Sequence, residues 1–175
     1  MRVLAACILT AALLAATVRG VDDLETLQKR FDQETDGVRK AKLLQRLGDA
    51  QFDSERNAGR SGDYVTVGLV MEKYRDNVRV ALQALKKTHP DAERHVSGYR
   101  ELEIHTGRGL REIRDVLLTM PEEYRPPMRL VEQDLVAMDN ELLRLIFPRR
   151  PGEKPALQQG ASNPAKTEKP PEKHP

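Results

Sequence analysis

The sequence predicts an all-α protein: a bundle of about five antiparallel helices followed by a disordered, Pro/Lys-rich C-terminal tail. Apolar residues recur at spacings of three, four and seven over most of residues 21–147, which is the spacing of one helix face. Seven of the eleven prolines lie in residues 148–175, and others fall between the periodic segments. The chain has three Phe, four Tyr and no Trp, a poor supply of aromatic residues for a β-sandwich.

The first 20 residues have the pattern of an export signal. Met1 and Arg2 give a short basic start, and residues 3–18 carry no charge. Such a run is shorter than the roughly 20 residues that a membrane span needs, but it suits a signal-peptide core. We expect cleavage after Gly20, a periplasmic or extracellular location and no membrane span in the mature chain. An uncleaved anchor is the alternative.

Cys7 is the only cysteine and lies inside this segment. With Leu4, Ala5 and Ala6 it spells a bacterial lipobox, in which the cysteine would carry a lipid. In a lipobox the apolar run precedes the cysteine, whereas here most of the run follows it. We therefore interpret Cys7 as a small apolar residue of the signal, and expect no disulfide in the mature chain.

The small net charge of +2 combines segments of opposite sign. Residues 148–175 contain six basic and three acidic residues, whereas residues 21–147 contain 21 basic and 24 acidic residues. An acidic helical domain without an aromatic stacking platform argues against nucleic-acid binding. The basic tail is too polar and proline-rich to bury a core, so we predict that it is disordered.

The first two helices are predicted from their ends and their apolar faces. Helix one begins at Asp22, which forms a capping-box-like pair with Glu25, and it ends at the Thr35–Gly37 break. Helix two runs towards Gly59. The predicted buried residues are Leu24, Leu27 and Phe31 in the first helix, and Val38, Leu43, Leu44, Leu47 and Ala50 in the second.

The last three helices have clearer apolar stripes, by which we mean rows of apolar residues along one helix face. Asp63 is the predicted N-cap of helix three, which ends before Pro90. Helix four is predicted to be capped near Ser97. Helix five is predicted to begin at Pro126 and to stop at Pro148. The stripes are Val67, Val70, Met71, Tyr74, Val78, Ala81, Leu82 and Leu85; then Tyr99, Leu102, Thr106, Leu110, Ile113, Leu117 and Met120; then Met128, Val131, Leu135, Met138, Leu142 and Leu145.

Residues 43–78 resemble a single tetratricopeptide-like helical hairpin. Residues 47–52, Leu-Gly-Asp-Ala-Gln-Phe, resemble the first helix of that repeat, and residues 62–64, Gly-Asp-Tyr, resemble its turn. The stretch between them is longer than in the family by about two helical turns. No second copy follows at the 34-residue period. The resemblance implies a module that binds peptides or proteins and is not an enzyme.

Two groups of residues are candidates for metal binding. His89, Asp91, Glu93 and His95 share one loop, but a solvated polar loop explains them better than a ligand set does. Glu101 and His105 lie four apart in helix four, the spacing of a surface pair. A helical-bundle metal or small-ligand protein, our second hypothesis, requires His105 to meet at least two carboxylates in a buried pocket.

Helix four contains an unusual glycine pair and a row of arginines. Gly107 and Gly109 each cost about 1 kcal/mol against alanine, so we expect a close helix crossing or a kink there. Arg108, Arg111 and Arg114 follow at steps of three. Interleaved acidic residues make a salt-bridged solvent face the alternative to a binding surface.

Our leading hypothesis is an exported, non-enzymatic helical interaction or scaffold protein of the bacterial envelope. No catalytic triad or thiol nucleophile can be assembled, and we expect no cofactor or metal. The candidate interaction surface comprises Arg108, Arg111, Arg114, Tyr64 and Tyr74. A protein partner is expected, and the tail is expected to act as a spacer or to contact an anionic envelope surface.

Overall fold

A computed structural model describes residues 23–148, and in this range it contains five α-helices, one short 3₁₀-helix and no strand. The helices are α1 (Leu24–Gln33), α2 (Gly37–Arg60), α3 (Tyr64–Thr88), α4 (Val96–Thr119) and α5 (Arg125–Ile146), and the 3₁₀-helix is Glu122–Tyr124. The predicted all-α helical bundle is therefore confirmed. The predicted signal with Cys7 and the tail from residue 149 onwards lie outside the described residues. No helix within residues 23–148 is long and apolar enough to cross a membrane.

Helices next to each other in the chain run antiparallel, and alternate helices run parallel. Gly37 at the start of α2 lies against Leu85 near the end of α3, so these two helices form an antiparallel hairpin. Between α2 and α4, by contrast, residue numbers increase in the same direction from the contact Gly48–His105 to the contact Arg56–Glu112, so these two helices run parallel. In the same way α3 and α5 lie side by side, as the Lys86–Glu141 ion pair shows.

The predicted helix ends are confirmed where a side chain caps the helix. Asp63 accepts a hydrogen bond from the backbone nitrogen of Thr66 at 3.0 Å, as expected for an N-cap. Gly62 precedes it with φ of 75°, a left-handed conformation that glycine adopts without strain. The end of α3 at Thr88 agrees with the restriction that Pro90 imposes.

Other ends differ from the prediction. The side chain of Asp23 makes no cap hydrogen bond at the start of α1, and Asp22 lies outside the described residues. The fourth helix begins at Val96, so Ser97 is already helical and is not its cap. The fifth begins one residue before Pro126, with its prolines in the first turn, where a missing N–H is tolerated.

A single hydrophobic core joins α1 to α5. The stripe of α3 is confirmed apart from Val70, which is half-buried, and the stripes of α4 and α5 are confirmed apart from the half-buried Leu117 and Leu145. In α2 the prediction is poorer, because Val38, Leu43 and Ala50 are only half-buried. The buried positions of α2 instead include three polar side chains, Lys40, Gln51 and Glu55.

Candidate functional site

A groove runs between α1 and the first half of α3, with α2 beneath it. Its volume is about 880 Å³. Leu24, Leu69 and Val70 form its apolar wall, and the side chain of Leu69 is 62% exposed. An apolar strip of this kind on a helical surface is a typical contact for another protein segment. We call this surface the α1–α3 groove.

Gln28 and Gln51 form the polar base of the groove, and Asn77 of α3 hydrogen-bonds to both of them. Asn77 donates a hydrogen bond to Gln28 Oε1 at 3.0 Å, and Gln28 Nε2 donates back to Asn77 Oδ1 at 3.1 Å. Asn77 also lies 3.5 Å from Gln51 Oε1. Reciprocal bonding between two amides satisfies a donor and an acceptor on each residue, so it fixes the orientation of the base.

Gln51 has hydrogen-bonding capacity that residues 23–148 leave unused. Its side chain is 2% exposed and lines the groove, and its long contact with Asn77 is the one hydrogen bond it makes within this range. Its Oε1 atom accepts from Asn77, and the two donors of its Nε2 atom have no hydrogen-bond partner within this range. A ligand group in the groove would satisfy this amide.

Charged residues of both signs surround the groove. Asp23, Glu25 and Asp32 are acidic, and Lys29 and Lys73 are basic. This balance gives the rim no strong field for a purely anionic or cationic surface. The groove therefore offers an apolar strip beside the amide of Gln51, with acidic and basic side chains at its rim.

Arg108 and Arg111 of the arginine row line one pocket, whereas Arg114 lies on another side of α4. Arg108 pairs with Asp49 of α2, whereas the Nε atom of Arg114 donates to Glu132 of α5 at 3.0 Å. Each step of three residues turns about 60° around a helix, so the ends of the row point about 120° apart. Arg111 lies between them, exposed and without an ion pair within residues 23–148.

A salt-bridged face was our alternative for this row, and within residues 23–148 the ion pairs of α4 join it to other helices. Glu112 accepts two hydrogen bonds from Nη1 of Arg56, at 2.8 and 2.9 Å, so it pairs across to α2. Ion pairs of this helix therefore fasten it to its neighbours. The charged side chains of α4 therefore hold neighbouring helices together as well as facing solvent.

The two tyrosines of the predicted surface have different environments. Tyr64 is half-buried, and its ring centroid lies 5.5 Å from that of Tyr124. Tyr74 is fully buried in the core. Since a buried side chain cannot touch a partner, Tyr74 does not belong to a surface in this structure. Its position follows from the stripe of α3, which also predicted burial.

Tyr74 and His105 form a polar contact inside the bundle. The hydroxyl of Tyr74 donates to the backbone oxygen of His105 at 2.8 Å and lies 3.0 Å from His105 Nδ1. Nε2 of the same ring is 3.2 Å from the carbonyl of Gln45. Burial lowers the pKa of His105, although Asp49 opposes this. Because a carbonyl oxygen only accepts, the tautomer that carries a proton on Nε2 donates to Gln45.

The structure does not assemble the metal sites weighed from the sequence. Among the described residues, Asp49 is the one carboxylate that approaches His105, at 3.7 Å from Nε2. The rings of His89 and His95 meet edge-on at 4.5 Å. Within residues 23–148, no group of three or more His, Cys, Asp or Glu side chains is arranged to hold a metal ion.

Glu55 is a buried acid that the sequence analysis did not single out. It is 4% exposed, and its Oε2 atom has no hydrogen-bond partner. Burial, with a smaller contribution from Glu112, raises its pKa to about 7, and Arg56 opposes the rise. Its position three residues after Phe52 was the available signal, because that spacing places it on the inner face of α2.

Comparisons with protein-family models, curated proteins and solved structures find no match for this chain.

Proposed function

We propose that this protein is an exported, non-enzymatic helical module of the bacterial envelope that binds a protein partner in the α1–α3 groove. The observation that carries the proposal is the juxtaposition of the exposed Leu69 with the buried, underused amide of Gln51. The signal-like residues 1–20 support export. The tetratricopeptide-like pattern of residues 43–78 supports a role in protein binding.

The chemistry of the groove specifies the kind of segment that it binds. A peptide satisfies both features, since it offers an apolar side chain to Leu24, Leu69 and Val70 and a backbone amide to Gln51. The mixed charges of the rim fit a segment that contains both acidic and basic residues. The basic tail then acts as a spacer or contacts an anionic envelope surface.

A display library of peptides tests this role with the full exported chain as bait. We expect enriched peptides that contain an apolar anchor and bind the wild-type chain. Leu69→Glu should weaken binding at least tenfold, because it places a charge on the apolar wall. Leu130→Glu is the matched control: Leu130 is 60% exposed, close to the 62% of Leu69, but lies on α5 away from the groove.

Equal binding by both variants would contradict the groove as the binding site. Selection of no specific peptide by the wild-type chain would contradict the proposed function as a whole. Circular dichroism of each variant separates loss of binding from loss of fold.

A further inference from the structure

A second pocket, of about 400 Å³, lies between the C-terminal half of α2 and α4. Its walls include Glu55 and Gly59 of α2 and Glu112, Asp115 and Thr119 of α4. Neither α1 nor Gln51 contributes to it, so it is separate from the α1–α3 groove. We call it the α2–α4 pocket.

Glu55 is the least satisfied group of this pocket. With 4% of its surface exposed, it is more than nine-tenths buried, and it makes no hydrogen bond or ion pair within residues 23–148. Its Oε1 atom is 3.8 Å from the site of a Cβ atom at Gly59, which lines the same pocket. Buried carboxyl groups are normally paired, because an unpaired charge loses its hydration without compensation.

The neighbouring arginines, Arg56 and Arg60, make their hydrogen bonds to residues other than Glu55. Arg56 donates to both oxygens of Glu112 and, at 2.7 Å, to Asp53. Arg60 is exposed, and its nearest hydrogen-bonding partner is Asn57 at 3.4 Å. Within residues 23–148, the carboxyl group of Glu55 therefore has no ion-pair partner, although Arg56 is near enough to oppose the rise in its pKa.

With Glu55 itself, the lining of the α2–α4 pocket contains three acidic residues and two basic ones. Glu112 and Asp115 face the pocket from α4, and Arg56 and Arg60 line it from α2. The apolar side chain that lines the pocket is Val116 of α4. A carboxyl group beside an apolar wall suits a cation that has an alkyl part and N–H donors.

We propose that the α2–α4 pocket binds one organic cation, an alkylammonium or alkylguanidinium group, through the Glu55 carboxylate. The N–H donors of such a group satisfy the buried oxygen, and its alkyl part lies along Val116. A metal ion fits less well, since no set of three ligating side chains converges within residues 23–148. This site does not depend on the proposed function of the α1–α3 groove.

Carboxyl ¹³C NMR of the full exported chain tests this site, with the Glu55 resonance assigned by Glu55→Gln. Methylguanidinium and n-butylammonium are the probes, and a blocked arginine dipeptide tests whether a peptide side chain is a better source of the cation. We expect a saturable shift with millimolar affinity, because a small ligand has few atoms with which to bind. In the Glu55→Gln protein we expect at least tenfold weaker binding, read from backbone amide shifts.

Tetramethylammonium is the matched control probe, because it has the same charge but no N–H donor. Equal shifts with tetramethylammonium, or shifts that rise linearly without saturation, would overturn the proposal. A saturable response to Ca²⁺ or Mg²⁺ alone would also overturn it. Binding that appears only in Arg60→Gln would show that Arg60 is the cation of this pocket, and would overturn the proposal as well.

Discussion

The ring of Tyr74 lies directly against Gly109. A Cβ atom at position 109 would be 2.6 Å from the phenol oxygen and 2.7 Å from Cζ of Tyr74, far inside normal contact. Position 107 lies on the opposite side of α4. There, within residues 23–148, a Cβ atom would meet only Nη1 of Arg111, at 4.0 Å. The two glycines of α4 therefore have different roles: Gly109 makes room for α3, and Gly107 does not.

Gly109→Ala and Gly107→Ala should change stability in opposite directions. We expect Gly109→Ala to lower the free energy of unfolding by about 2 kcal/mol, because the added methyl group displaces a packed ring. Gly107→Ala should raise it by about 0.5–1 kcal/mol, since alanine favours the helix and meets open space. Urea unfolding followed by circular dichroism measures both. Equal effects of the two substitutions would contradict the close packing at Gly109.

Stability should depend on the protonation of Glu55. Between its ordinary pKa of 4.5 and its folded-state pKa of about 7, the unfolded chain loses this proton while the folded protein keeps it. The free energy of unfolding therefore falls as the pH rises through this window, by up to about 3 kcal/mol, and is level above it. Glu55→Gln removes this loss, so it should be more stable than the wild type at pH 8 and similar at pH 4.

Unfolding midpoints in urea across this pH range measure the difference between the two proteins. Glu123→Gln is the control, because it removes the same charge at an exposed position. A Glu55→Gln protein whose stability follows the wild type at every pH would contradict the raised pKa.

His105 should contribute a slope of the opposite sign. Its pKa is lowered from the ordinary value of 6.5 by burial, so below pH 6.5 the unfolded chain binds a proton more readily than the folded protein does. Its contribution to stability is complete above pH 6.5 and is lost as the pH falls through the folded-state pKa. In Glu55→Gln, where the opposing slope of Glu55 is absent, we expect stability to rise with pH up to 6.5. NMR titration of the His105 ring protons checks the direction.

Asn77 should stabilise the base of the α1–α3 groove. Asn77→Ala removes two hydrogen bonds to Gln28 and leaves that amide partly unsatisfied, so we expect the free energy of unfolding to fall by about 2 kcal/mol. Gln83→Ala, at an exposed position of the same helix, is the control and should change it by less than about 0.5 kcal/mol. Similar losses for both would show that the amide pair contributes little.

The sequence predicted the helices well because their apolar faces and turn residues act locally. The stripe of α3 and the cap at Asp63 follow from spacing and short-range hydrogen bonding alone. A close crossing was expected at the glycines of α4, and it is confirmed at Gly109 only. Which helix crosses there depends on tertiary packing, which spacing does not encode.

The candidate site was much harder to predict than the fold. Arg108 and Arg114 look alike in the sequence, yet they reach different helices, because three-residue steps turn them apart. Gln51, Asn77 and Glu55 occupy inward positions that apolar patterning leaves as gaps. Such gaps in an otherwise regular stripe were the available signal for both the groove and the α2–α4 pocket.

Photocrosslinking from Leu69 tests the central claim, that the α1–α3 groove binds a protein partner, most directly. A photoreactive amino acid replaces Leu69 in one full-length protein and Leu130 in another, and each is expressed in intact cells. We expect a specific crosslinked protein from position 69, absent from position 130 and lost when Gln51→Ala is added. Crosslinks of equal yield from both positions, or none from position 69, would contradict the account.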